Sequence, residues 1–192
     1  MTSAASPPRP LSDALLPPGA PALARQAADL LTDAGLTAAL DPSRGLDHGA
    51  WIPLMLRYPE ATIPVLQVSI QPDLGPAHHL AVGRALAALR AQDVLVIGSG
   101  SYTHDLSHFH REMEAPAPPD VIAFADWFDA AVTQRRIDDL LHYRTRAPHA
   151  AEQHPTDEHL LPLYIAMGAG SDPTRIHTAM NSVLRMDAYA FA

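Results

Sequence analysis

Three short segments of this chain carry side chains that could do acid–base or metal chemistry, and each is built round a histidine. In Gly45-Leu46-Asp47-His48-Gly49-Ala50-Trp51 the glycine lets a ligand approach His48 closely, and Asp47 could orient the imidazole. The same residues also suit a helix cap at Asp47, with His48 on the surface. In Gly98-Ser99-Gly100-Ser101-Tyr102-Thr103-His104-Asp105-Leu106 an apolar run ends in a Gly/Ser turn followed by His104. That layout delivers an imidazole to the edge of a sheet, although an ordinary turn with a capping hydroxyl has the same composition. In Glu152-Gln153-His154-Pro155-Thr156-Asp157-Glu158-His159-Leu160-Leu161-Pro162-Leu163, Glu158 and His159 open an apolar helix. Either could ligate a metal, and Glu158 could instead simply complement the helix dipole.

The other histidines carry weaker signals. His78 and His79, and also His142, His149 and His154, read as solvated positions, while His177 reads as a buried histidine or a pocket wall. His108 and His110, beside Arg111 and Glu112, read as a polar loop. The spacing of a phosphate-binding loop is absent, as is that of a nucleophile elbow or the H-E-x-x-H motif of a zinc helix.

These segments need elements to position them. Residues 1–19, rich in proline, read as an extended lead-in. Residues 22–36 place Leu23, Ala27, Leu30 and Leu31 on one face of a helix closed by Gly35. The run 63–70 reads as a strand, 77–92 as a helix, and 93–97 as a strand buried on both faces. A long helix is expected over 120–143, a shorter one over 158–167, and strand-like structure over 175–191. Alternating strands and helices with apolar central strands predict an α/β layered fold in a single domain, with sites where loops leave the carboxyl ends of strands.

Composition narrows the function. Among the 192 residues are 13 basic and 21 acidic side chains, for a net charge of −8, and every basic residue is arginine. An acidic chain without basic runs argues against nucleic acid or an anionic membrane as partner. The absence of cysteine excludes disulfides, thiolate metal sites and a cysteine nucleophile. No apolar run approaches the roughly 20 residues of a membrane span. A soluble, cytoplasmic protein is expected, with eleven histidines as its chemical resource.

Taken together, the three histidine segments, with Pro64-Val65-Leu66-Gln67-Val68-Ser69-Ile70 and the tail Met186-Asp187-Ala188-Tyr189-Ala190-Phe191, resemble bacterial 4,5-DOPA dioxygenase-like proteins. These are class III extradiol ring-cleavage dioxygenases, and the resemblance runs in order from about Leu16 to the end of the chain. It implies a three-layer α/β sandwich around a mostly parallel or mixed central sheet. It also implies one Fe(II), or zinc, that a catechol chelates through both hydroxyls while dioxygen binds beside it. On this resemblance His159 and His104 are metal ligands, His104 also serves as acid and base, and His48 contacts substrate or oxygen. Trp51, Tyr102, Phe109 and Arg57 are candidate pocket or rim residues. The family's early His-Gly-Ser-Pro and Ala-His-Trp type motifs have no counterpart here. Residues 20–192 are therefore expected to correspond to the C-terminal part of the catalytic domain, N-terminally truncated. A homodimer, or a partner supplying the N-terminal half, would complete it. The alternative is a metal-free, catalytically inactive relative that serves as a binding or scaffold module.

Overall fold

The computed structural model describes residues 17–107 and 117–192. Helix α1 (Pro21–Asp33) opens on a proline, whose fixed φ suits the first helical position and whose missing N–H is not needed there. It closes at Gly35, with φ 78°, where the Gly35 N–H reaches the Thr32 carbonyl and the Leu36 N–H reaches that of Leu31. That is the paired bonding of a left-handed helix stop. Helix α2 (His48–Arg57) is capped by Asp47, whose carboxylate accepts from the Ala50 N–H. Helix α3 (Gly75–Leu86) tightens into a 3-10 segment (Ala87–Gln92), so the helix expected over 77–92 is present with a change of pitch.

The long helix expected over 120–143 is broken. Helix α4 (Pro119–Thr133) ends where Arg135 takes φ 55°, and the short helices α5 (Ile137–Leu141) and α6 (Tyr143–Arg146) follow. The bonds Arg135 N–H to Val132 and Arg136 N–H to Ala131 repeat the stop seen at Gly35, here without a glycine. The Arg136 guanidinium, 5.4 Å from the centre of the Trp127 ring, lies over the turn just made. Helix α7 (Ala150–Gln153) leads to α8 (Leu161–Ala169), and the chain ends in an antiparallel hairpin of β1 (Pro173–Asn181) and β2 (Leu184–Phe191).

Two apolar clusters hold these elements. Phe124, Phe128, Leu140, Tyr143, Leu161 and Tyr164 form one, and Ala27, Leu31, Val82, Leu86, Leu89 and Ile165 the other. Helix α8 contributes to both, which is why it is apolar on nearly every side. It meets α3 at Gly83 and Gly168, where a Cβ on Gly168 would lie 3.0 Å from the Cα of Gly83. Only the lack of side chains permits so close a crossing.

The sheet departs from expectation. Among the described residues the paired strands are the antiparallel hairpin, in place of a mostly parallel or mixed central sheet. The run 63–70 forms no strand; its one main-chain bond to a described residue is from the Val65 N–H to the Pro18 carbonyl, at an isolated parallel bridge between Gly19 and Val65. The run 93–97 exchanges no ladder bonds with a described neighbour. Its alternation is nonetheless that of a strand, with Val94 and Val96 packed on the helices and Leu95 and Ile97 exposed. Burial on one face alone corrects the two-faced burial expected there. The strand-like tail is correct, although His177, expected inside or at a pocket wall, is exposed beside the bulge at Arg175 and His177.

Candidate functional site

Gly98 and Gly100 bring the turn after residue 97 directly onto the start of α8. A Cβ on Gly98 would run into the Pro162 carbonyl, and one on Gly100 into that of His159. With no side chain between, the Ser101 N–H bonds the His159 carbonyl at 2.9 Å. The chain then passes through Tyr102 and Thr103, both buried, and emerges at half-buried His104.

His159 lies in the turn that precedes α8, where the Leu160 and Leu161 N–H groups bond the Asp157 carbonyl at 2.9 and 3.1 Å. Its ring stacks on that of His104, with centroids 3.6 Å apart and planes 14° from parallel. Burial, and then the neighbouring His159, push His104 below the usual histidine range, so it is neutral at neutral pH. Glu158 stands on the other side, its Oε1 3.2 Å from the buried Nδ1 of His159, which has no well-aligned hydrogen-bond partner. A hydrogen bond from the Thr156 hydroxyl holds the Glu158 carboxyl below its ordinary range, keeping it ionised. Glu158 thus precedes the helix and faces His159, rather than merely complementing the dipole of a first turn.

The third candidate histidine stands apart. His48 is exposed on the first turn of α2 and makes no hydrogen bond, ion pair or ring contact with a described residue. Asp47 does not orient it. Its carboxylate caps α2 and accepts from the Gln67 amide at 2.6 Å, while the Asp47 N–H donates to Gln67 Oε1 at 3.0 Å. This reciprocal pair ties α2 to the run 63–70. The first turn of α2 still lies close to the Gly/Ser turn, since a Cβ on Gly49 would be 3.9 Å from the Ser99 hydroxyl.

Several other expectations are corrected. Tyr102 is core rather than rim: its hydroxyl pairs with that of Tyr189 at 3.0 Å, and Tyr189 donates to Asp129 at 2.6 Å. His79 is buried, its Nε2 accepting from the Gln71 N–H and its Nδ1–H donating to the Gly75 carbonyl. His154 is also fully buried, as is its neighbour Gln153. Both lie in a polar stretch whose composition reads as solvated, so burial there has no local sequence signal. Arg57 is exposed and Trp51 half-buried, while Phe109, His108 and His110 fall outside the described residues.

The stacked pair does not fit a shared metal ion. An ion bound through a ring nitrogen lies in that ring's plane, about 2.0–2.1 Å from the nitrogen, and two nearly parallel planes have no such point in common. Among the described residues no group of three or more histidine or acidic side chains is close enough to hold a metal. What the arrangement offers is a neutral imidazole, a second imidazole against it, and an adjacent carboxylate.

Comparison with known proteins gives this arrangement a context. Residues 12–190 match the family model for the catalytic LigB subunit of aromatic ring-opening dioxygenase. The chain is 43% identical over 166 residues to a 4,5-DOPA dioxygenase extradiol of Beta vulgaris, covering 86% of this chain and 62% of that protein. It is 35% identical over 165 residues to the protein of that name from Escherichia coli K12, covering 83% and 60%. The crystal structure of an uncharacterized protein from Escherichia coli K12 superposes with a TM-score of 0.81 at 31% identity, covering 91% of this chain and 74% of that one. The chain therefore spans about three fifths of the length of the curated relatives it matches. A family match over nearly the whole chain, with a relative above 40% identity and a close structural neighbour, supports one assignment: the chain belongs to the LigB family of aromatic ring-opening dioxygenases.

Proposed function

We propose that this chain is an extradiol ring-cleavage dioxygenase acting on a catechol-type, DOPA-like aromatic with dioxygen. The observation that carries the reading is the His104–His159 pair, assembled at a glycine turn within a chain of this family. In such a reaction the ring opens beside the diol and both atoms of dioxygen enter the product. His104, kept neutral by burial, takes a proton from a catechol hydroxyl and later returns it. His48 contacts substrate or oxygen. His159 and His104 are the two imidazoles that the chain offers to Fe(II) or zinc, and a shared ion requires them to leave the stack.

The reading extends to architecture and partners. The extended runs 63–70 and 93–97 would enter a three-layer α/β sandwich once strands pair with them, supplied by a second copy or by a partner chain. With no cysteine, and no helix among the described residues long and apolar enough to cross a membrane, a cytoplasmic location belongs to the same reading. Neither a nucleic acid nor a membrane surface is a partner in it. The stacked geometry of the two histidines favours one second reading, a metal-free binding or scaffold module on the same fold.

Anaerobic loading with Fe(II), desalting, and then oxygen uptake with L-DOPA and with simple catechols separate the two. Stoichiometric metal and uptake with a ring-opened product are expected, with uptake lost in His104→Ala at an unchanged melting temperature. Uptake retained in that variant would remove His104 from its role. Absence of both metal and uptake in the unmodified chain would favour the second reading.

A further inference from the structure

The chain around Thr103 is held by bonds from within its own turn, from β2 and from the end of α7. The Ser101 hydroxyl donates to the Thr103 carbonyl at 2.6 Å, and the Thr103 hydroxyl accepts from the Arg185 N–H at 2.8 Å. The His104 N–H donates to the Gln153 carbonyl at 2.8 Å. The Tyr102 carbonyl accepts from Nε2 of His154 at 3.0 Å. A carbonyl can only accept, so the proton is on Nε2 and Nδ1 carries a lone pair. Nδ1 is buried and has no partner among the described residues.

An unpaired buried nitrogen is unfavourable, and nothing in the packing of His154 calls for one. The ring sits among aromatics, 5.5 Å from Phe124 and 6.4 Å from Tyr143, where phenylalanine would fill the space without an orphaned atom. What the imidazole adds is one donor, aimed at Tyr102. Gln153 and His154 therefore grip the chain on both sides of Thr103, at the carbonyl before it and the N–H after it. The Gln153 side chain donates to Asp120 at 2.8 Å, which fastens the grip to α4. The same stretch continues to His159, whose carbonyl holds Ser101.

We propose that His154 is a positioning residue for His104: through Tyr102 it fixes the backbone that sets the His104 ring against His159. It is too deeply buried to touch a substrate itself. This inference rests on the dioxygenase reading only for the catalytic consequence, since the placement of the ring can be read separately.

Two variants separate the donor from the volume it occupies. His154→Phe keeps an aromatic ring and removes the donor, whereas His154→Gln places an amide N–H near the position of Nε2. In histidine-labelled protein the ring protons of His104 and His159 should show the upfield shifts of face-to-face stacking. Those shifts should be lost in His154→Phe and kept in His154→Gln. On active enzyme, kcat should fall by about 100-fold in His154→Phe with little change in KM, and recover in His154→Gln. Shifts retained in His154→Phe, or lost equally in both variants, would overturn the proposal. If His154→Phe does not fold, the nitrogen shifts of His154 in the unmodified protein decide: an Nδ1–H tautomer leaves no donor for Tyr102 and also overturns it. An inactive chain that passes the spectroscopic tests would count against the dioxygenase reading alone.

Discussion

Single histidines in this chain differ chiefly in what surrounds them, and the two that are buried among the described residues make its stability sensitive to acid. Burial is the largest influence on both His79 and His154, and it lowers both; for His154 the value falls from the ordinary 6.5 to about 4. The Tyr102 carbonyl and Asp157 oppose the shift at His154, while His104 and Arg144 reinforce it. The folded protein therefore holds these rings neutral, whereas the unfolded chain takes up protons at ordinary histidine values. A lowered folded value contributes stability that is fully present above pH 6.5 and is lost as pH falls from there toward about 4. Melting temperatures measured by circular dichroism from pH 8 downward should fall through that window, and His154→Gln should show a shallower fall. An identical slope in that variant would mean that other groups carry the acid sensitivity.

At the scale of elements, the crossing of α3 and α8 sets how closely the turn and the helix start can approach. Gly83→Ala places a methyl group against the Ile165 carbonyl, which is backbone and cannot swing aside. Separating the helices should lower stability by about 1–3 kcal/mol, read as a lower urea midpoint. Gly45→Ala, where nothing lies within 4 Å, should change it by no more than about 0.5 kcal/mol. Equal midpoints would mean that the crossing relaxes freely. Local chemistry made much of this scale readable in advance: Gly35 ends α1, and the strand character of the tail follows from its alternation, although its folding back as a hairpin does not. His104 and His159 were legible from residue type beside a glycine turn and a helix start. Their stacking was not, because it depends on two carbonyls accepting close glycine approaches from elsewhere in the chain. The break at Arg135 was equally hidden, since a positive φ at arginine is a tertiary outcome held by surrounding contacts. The burial of His154 likewise depends on aromatics contributed by α4 and α6.

At the scale of the whole molecule, an exposed apolar run among the described residues has a consequence that can be measured. Leu95 and Ile97 are 70% and 56% exposed on a strand-like run whose backbone bonds no described neighbour. An apolar edge with free main-chain groups is a template for pairing with another chain. The net charge of −8 spreads a general repulsion between copies, so association here requires a specific patch rather than loss of solubility. If a second copy pairs at this edge, sedimentation equilibrium of the unmodified chain should show a mass that rises with concentration. The double variant Leu95→Glu, Ile97→Glu should sediment as a monomer with an unchanged melting temperature, because both side chains already face solvent. Added salt should strengthen association of the unmodified chain by screening the repulsion, and do little to the variant. A single monomeric mass for the unmodified chain at every concentration would rule out self-pairing at this edge.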